Sequence, residues 1–293
     1  MKKRKGIILA GGTGSRLMPM TGLLSKQVLP VYDKPMIYYP LSVLMLARIS
    51  EILVISSPEH LPQLRETVLR LGNLGIEFKF ISQPRPEGIA QALILGEDFL
   101  DGSPCALILG DNIFFGHGFS EILQNADQNR SSAQIFVHQV NKPERYGVIE
   151  LNSDGKIIGI VEKPSVPRSN LAVTGLYFFD PSASQLARQL KPSQRGELEI
   201  TDLNLLYLKN NNLFFHELGR GVAWFDAGTP SSLLDAAMYV SAIETRQQTK
   251  IAAPEEIALT NQWITLDQFL SLPNLAWDNE YSKYLRNLLE LRK

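Results

Sequence analysis

Lys5-Gly6-Ile7-Ile8-Leu9-Ala10-Gly11-Gly12-Thr13-Gly14-Ser15-Arg16-Leu17 is the stretch on which the fold of this 293-residue chain turns. An apolar run breaks into three glycines and ends on an arginine, the pattern of a buried strand feeding a phosphate loop. Gly11, Gly12 and Gly14 lack a Cβ, so backbone N–H groups there can approach an anion closely. Arg16 adds a permanent charge with a fork of donors suited to phosphate oxygens. Two other glycine loops are excluded. A P-loop needs Gly-Lys-Ser/Thr, which occurs nowhere in the chain. A dinucleotide loop needs G-x-G-x-x-G and an acid ending the second strand. Counted from Gly12, the third glycine position is Leu17, and the run Glu51 to Ile55 ends in Ser56-Ser57.

Outward from that loop, strand-like runs at Gly6 to Ala10, Glu51 to Ile55, Glu77 to Ile81 and Ala106 to Leu109 alternate with helical patterns at Met36 to Ala47, Leu61 to Leu71 and Ile89 to Phe99. This alternation predicts an α/β fold with a doubly wound, mostly parallel, Rossmann-like sheet covered on both faces. Ligands of such sheets lie beyond the carboxyl ends of the strands. Gly11 to Arg16, Gln83 to Gly88 and Gly110-Asp111-Asn112 should therefore converge on one mouth. From about residue 133, short strands at Gln134 to Val140, Tyr146 to Leu151, Ile157 to Val161 and Val173 to Phe179 suggest an antiparallel extension over that mouth. Helical patterns return at Pro181 to Leu190 and Glu199 to Lys209, and strands at Leu213 to Leu218 and Val222 to Phe225 lead into Asp226-Ala227-Gly228. Ser231 to Arg246 and Tyr281 to Leu291 read as C-terminal helices.

Net charge is −1, from 29 Lys+Arg against 30 Asp+Glu, so no global basic footprint for nucleic acid exists. Any positive field for a polyanion must be local. No apolar run approaches the roughly 20 residues that span a bilayer, and no small-residue cleavage site follows the first apolar run, so no membrane partner is expected and a cytoplasmic location is. Cys105, the single cysteine, reads as an inert strand residue.

Asp111 and Asp226 each follow an apolar strand run. Either alone could be a turn former or helix cap. Together they suggest a pair of hard oxygen ligands for Mg²⁺, which takes one or two carboxylates and completes its shell with phosphates and water. His60, His117, His138 and His216 are scattered without metal spacing. Gln83 carries a primary amide able to pair with the N3–H and O4 edge of thymine or uracil, and Gly88 would let backbone approach the same base. Arg195 begins a helical pattern, as a surface charge or a phosphate clamp.

After the glycine loop come Pro19, Thr21, Ser25-Lys26 and Pro30, giving Gly-Gly-x-Gly-x-Arg-Leu-x-Pro-x-Thr-x-x-x-Ser-Lys-x-x-x-Pro. This resembles the signature of sugar-phosphate nucleotidyltransferases, and Val31-Tyr32-Asp33-Lys34-Pro35-Met36-Ile37-Tyr38-Tyr39-Pro40 narrows the resemblance to the glucose-1-phosphate thymidylyltransferases. Matching words recur from Lys5 through Trp263, with departures at Met18, Glu87 and Asn141. The resemblance implies a single nucleotidyltransferase domain over 1–293: a nucleotide-binding core over 1–130, a sugar-phosphate-binding part over 131–230 and a helical part over 231–293. It implies nucleotide contacts at Leu9, Gly11, Gly12, Thr13, Gly14, Gln83 and Gly88, and places Arg16 and Lys26 on the triphosphate. It puts Tyr146, Gly147, Glu162, Lys163 and Val173 on the sugar phosphate, with Arg195 as a second clamp.

The implied reaction joins glucose 1-phosphate to the α-phosphorus of dTTP and expels pyrophosphate. The attacking phosphate is already an anion, so no general base is required, and catalysis reduces to neutralising and aligning polyanions. Thymine differs from uracil by one methyl group, so the resemblance, not Gln83, selects dTTP over UTP. It further implies a homotetramer and a second, inhibitory site for dTDP-rhamnose at Gly116, His117, Arg220, Glu256 and Ile257. A non-catalytic sugar-nucleotide sensor and a dinucleotide-dependent oxidoreductase are the rival readings; the joint presence of Arg16, Lys26, Asp111 and Asp226 opposes the first, and the incomplete glycine fingerprint opposes the second.

Overall fold

Alternating Ile, Leu and Val residues in the strands of the first half, apolar on both sides of the pleat, require a cover on each face of the sheet. The computed structural model, which describes residues 2–12 and 14–288, supplies both covers. In chain order, β1 (Lys5–Leu9) runs into the glycine loop, and β2 (Pro30–Val31) with β3 (Lys34–Pro35) forms a small hairpin before α1 (Tyr38–Leu46). Then come β4 (Glu51–Ser56), α2 (Leu61–Leu69), β5 (Glu77–Ser82), α3 (Gln91–Leu95), α4 (Glu97–Leu100) and β6 (Cys105–Leu109). β7 (Asn112–Gly116), α5 (Phe119–Gln128), β8 (Ala133–Gln139), β9 (Gly147–Leu151), β10 (Ile157–Glu162) and β11 (Leu171–Phe179) follow. The rest is α6 (Ala183–Ala187), α7 (Ile200–Lys209), β12 (Leu213–Glu217), β13 (Val222–Asp226), α8 (Pro230–Gln247), α9 (Pro254–Thr260), α10 (Leu266–Leu270) and α11 (Glu280–Asn287).

The main sheet runs β10-β9-β11-β6-β1-β4-β5, with β8 and β12 attached beside β11. β6, β1, β4 and β5 are parallel, in the order of a doubly wound half-fold, and their carboxyl ends open at the switch point between β1 and β6. Successive residues alternate between two cores. Ile7, Leu9, Leu53, Ile55 and Leu107 face one; Ile8, Ile52, Val54 and Ile108 face the other.

The antiparallel extension is real but differs from the expectation. β11 pairs directly with β6, so the extension continues the same sheet instead of lying across its mouth. The helix expected over Ile89 to Phe99 is two short ones meeting at Gly96, where a Cβ would stand 3.0 Å from Cδ1 of Ile7. The close approach of helix to sheet there needs a glycine. The C-terminal helix expected over Tyr281 to Leu291 is present as α11; residues 289–291 of that expectation lie outside the described ones.

β7 and α5 escaped the sequence reading. β7 pairs antiparallel with β13 in a separate two-stranded sheet that sets Asp226 opposite Asn112. α8 packs beside that ribbon, and its start is fixed by a capping box in which Thr229 and Ser232 satisfy each other's backbone N–H groups. Among the described residues no helix is long and apolar enough to cross a membrane.

Candidate active site

The glycine loop leaves β1 in a conformation closed to most side chains. Gly12 has φ 96° and Gly14 φ 62°, and Thr21 Oγ1 donates to the carbonyl of Gly14 at 2.8 Å, pinning the loop from inside. Thr13 lies outside the described residues. Arg16 follows in a short 3-10 turn, Ser15–Leu17, anchored by fully buried Leu17. Its guanidinium reaches back to the turn after β13: a Cβ on Gly228 would stand 2.8 Å from Nη2 of Arg16 and 2.9 Å from Oδ1 of Asp226. That glycine lets cation and carboxylate share one corner.

Lys26 opens a second 3-10 turn, Lys26–Val28, and its ammonium is paired with Oδ2 of Asp111. Asp111 is only 7% exposed. Burial opposes its ionisation, yet Lys26 and a hydrogen bond from Asn112 Nδ2 to Oδ1 at 3.1 Å hold its carboxyl below the ordinary carboxylate value. Asp226 is displaced the other way. Burial and then the charge on Asp111 push it up, against weaker pulls from Arg16, Lys26 and Arg145. The two carboxylates thus repel each other across the site, and the hydrogen bond from Ala227 N to the Asp111 carbonyl, 2.9 Å, fixes their backbones side by side. A pair of hard oxygen donors in mutual repulsion fits a divalent cation of the kind that also uses phosphate oxygens. Among the described residues no group of three or more His, Cys, Asp or Glu forms a closed protein cage.

On the sugar side, one cavity of about 210 Å³ gathers Arg16, Asp111 and Asp226 with Tyr146, Gly147, Glu162, Lys163, Val173 and Arg195. Glu162 ends β10, where Thr201 Oγ1 donates to its Oε2 at 2.6 Å. Lys163 takes a left-handed conformation, φ 44°, which turns the chain just as the strand ends; its Nζ lies 3.7 Å from Glu162 Oε1. Arg195 donates through Nε and Nη2 to Glu199, with Glu197 and Glu162 at 3.3 and 3.6 Å from Nη2. Burial opposes its charge, but that ring of carboxylates raises its pKa above the ordinary arginine value. Glu199 stands at the N-terminal end of α7 without capping it, because its carboxylate is spent on Arg195.

On the base side, Gln83 is buried, and its Nε2 donates to Gln91 Oε1 at 2.6 Å. Its Oε1 would be 2.3 Å from a Cβ on Gly11, so glycine is required where that amide crosses the phosphate loop. Gly88, at φ 108°, is pressed against the backbone of Leu198, 2.4 Å from where its Cβ would be. Leu9 ends β1 beneath this loop. Gln83, Gly88 and Lys26 do not line the sugar-side cavity; Lys26 meets it through Asp111, and Gly88 precedes Ile89, which lines it.

Three of the five residues implied for a second site share one cavity. Gly116, Glu256 and Ile257 line a cavity of about 280 Å³ between β7, α1 and α9. Gly116 pairs with Val222, and the His117 carbonyl lies 3.8 Å from a Cβ position on Gly221, which places His117 and Arg220 at the rim of the same ribbon.

Three polar or aromatic residues of the site, Arg145, Trp224 and Glu199, were not anticipated, and Asn112, expected at the mouth, has partners that were not. Arg145 lies 3.6 Å from Asp226; Asn112 and Trp224 are joined at 2.6 Å; Glu199 holds Arg195. Arg145 adjoins Tyr146 and Glu199 lies four residues after Arg195, so charge spacing could have found them. Asn112 and Trp224 meet only across the β7–β13 pairing, which has no local signal.

Comparison with known proteins shows the family. A sequence model of the family described as nucleotidyl transferase matches residues 5–242. A glucose-1-phosphate thymidylyltransferase of Xanthomonas campestris pv. campestris (strain B100) is 53% identical over 98% of both chains. One from Mycobacterium tuberculosis (strain ATCC 25618 / H37Rv) is 44% identical, over 98% of this chain and 99% of its own. Among solved structures, a Bacillus anthracis protein assigned as a glucose-1-phosphate thymidylyltransferase, in complex with sucrose, superposes with a TM-score of 0.73 at 42% identity over 80% of this chain and 94% of that one. A UDP-glucose pyrophosphorylase complexed with UDP-glucose, 24% identical, shares the fold with a TM-score of 0.72 over 82% and 99% of the two chains. The chain belongs to the nucleotidyl transferase family, among the glucose-1-phosphate thymidylyltransferases.

Proposed function

We propose that the chain transfers a thymidylyl group from dTTP to α-D-glucose 1-phosphate, giving dTDP-glucose and pyrophosphate. An oxygen of the sugar phosphate attacks the α-phosphorus as the bond to the β-phosphate oxygen breaks, in line and in one step. The observation that carries this reading is the shared cavity at the strand ends, where Arg16, Asp111 and Asp226 face Glu162, Lys163 and Arg195. Arg16 and Lys26 would neutralise the triphosphate, and Lys163 with Arg195 would align the attacking phosphate. Glu162 and the Gly147 backbone would orient the sugar against Tyr146 and Val173, and Gln83 with Gly88 would take the base over a loop formed by Leu9, Gly11, Gly12, Thr13 and Gly14. Asp111 and Asp226 would hold Mg²⁺, which when bound supplies positive charge at the α-phosphate.

We read the chain as one domain in three parts, acting in the cytoplasm as a homotetramer at the first step of dTDP-L-rhamnose synthesis. The cavity containing Gly116, Glu256 and Ile257 would then receive dTDP-rhamnose as an inhibitor. The names of the relatives support thymidine over uridine, while a pocket that separates them by one methyl group discriminates by only about 1–3 kcal/mol, so some turnover of UTP is expected. The test is direct: purified protein with Mg²⁺, glucose 1-phosphate and, in turn, dTTP and each of the four common NTPs, read by product mass. Formation of dTDP-glucose as the main product supports the reading; pyrophosphate release from none of them makes the chain a binder.

A further inference from the structure

We propose that Asn112 is the positioning residue that holds Asp111 for the divalent cation and ties that carboxylate to the sugar pocket; this rests on the reading of Asp111 as a metal carboxylate. Asn112 is 2% exposed, opens β7 and stands in register with Asp226. Its Oδ1 accepts from the indole Nε1 of Trp224 at 2.6 Å and from the backbone N–H of Gly175 at 3.0 Å. Two donors on one atom decide which end of the amide is oxygen, so Nδ2 must face Asp111, to whose Oδ1 it donates at 3.1 Å.

The amide cannot turn away. Gly175 presses β11 against it so closely that a Cβ there would stand 2.7 Å from Asn112 Cγ. Asp111 is therefore oriented by one amide on Oδ1, while Oδ2 faces Lys26. The same amide grips Trp224, whose ring lies 5.1 Å from that of Tyr146 in the wall of the sugar cavity. Strands β7, β11 and β13 meet at this one side chain, and a change in the sugar-pocket wall reaches the carboxylate through it. Removing a hydrogen-bonding partner behind a metal ligand typically costs 10–100-fold in metal affinity.

Mn²⁺ is titrated into the native chain and into Asn112→Ala, Trp224→Phe and Asp111→Ala, with the free ion counted by electron paramagnetic resonance and folding followed by melting temperature. Asn112→Ala should weaken Mn²⁺ binding about 10–100-fold. Trp224→Phe keeps an aromatic wall and loses only the donor to Oδ1; it should weaken binding about two- to tenfold, the value of one hydrogen bond, although Trp224 touches no metal carboxylate. It also serves as the readout should Asn112→Ala fail to fold. Native-like affinity in both variants, with binding lost in Asp111→Ala, overturns the role of Asn112 and leaves the metal reading standing. Native-like affinity in Asp111→Ala, or no binding to the native chain, overturns both.

Discussion

Two of the ionic clusters in this molecule are built on opposite principles. Near the start of α1, Lys34 and Lys250 face Asp33 and Glu244, two cations against two anions. Lys34 and Glu244 are almost wholly buried and 2.8 Å apart, and Glu244 also accepts from the backbone of Ile251 at 2.9 Å. Burial resists the charge on Asp33, yet the lysines hold it below its ordinary value. At the strand ends, by contrast, Asp111 is held below its ordinary value while Asp226 is pushed above its own, and Arg16 lies exposed to solvent. A closed cluster of balanced charge stabilises the fold; an open one with unresolved repulsion is poised for a charged ligand.

The sharpest way to break this contrast is Lys34→Met. Removing one member of a buried cluster should cost about 3–5 kcal/mol of stability, read from urea unfolding, and a loss below about 1 kcal/mol would make the cluster ornamental. Next in size is Lys26→Ala, for which turnover should fall about a hundredfold or more, some 3 kcal/mol of transition-state stabilisation, in protein that still unfolds cooperatively. Near-normal turnover would move Lys26 out of the chemistry.

A smaller effect separates the two carboxylates by pH. Asp226 sits above its ordinary value of 3.8, so the stability it contributes is complete below that value and is lost as pH rises through its higher folded value. Asp111 is displaced downward, so its contribution is present above 3.8 and is lost as pH falls. In metal-free protein, Asp226→Asn should therefore melt higher than the native chain at neutral pH, and with Mg²⁺ supplied it should lose turnover; a lower melting temperature would show that no repulsion was relieved. The exposed pair Arg70–Glu66, one helical turn apart at 2.6 Å, sets the floor. Glu66→Ala should cost about 0.3–0.5 kcal/mol, and a larger value would erase the distinction between surface and buried pairs.

Much of this was readable from the chain because the informative residues follow directly after apolar strands. The glycine loop, Arg16, Asp111 and Asp226 are each announced by the run before them, and α/β alternation fixed where those runs must open. β7 was hidden because it follows β6 after only a two-residue break, Gly110-Asp111, and its partner β13 lies far along the chain. Non-local pairing leaves no periodicity to detect. α5 did carry a signal, with Phe119, Leu123 and Ala126 buried at helical spacing, diluted by its amides and acids. Gln83 is legible as an amide able to pair with a base, but its burial beside Gly11 emerges only from the fold.

Leu198 is stitched to the base-side loop on both sides of Gly88: its N–H donates to Glu87 O at 2.7 Å and its carbonyl accepts from Ala90 at 3.2 Å. Three residues earlier stands Arg195, and three residues later Thr201 holds Glu162. The loop that would read the nucleobase and the segment that would grip the sugar phosphate are therefore one mechanical unit. An altered preference for either substrate, selected in the laboratory or by evolution, should carry a change in tolerance for the other.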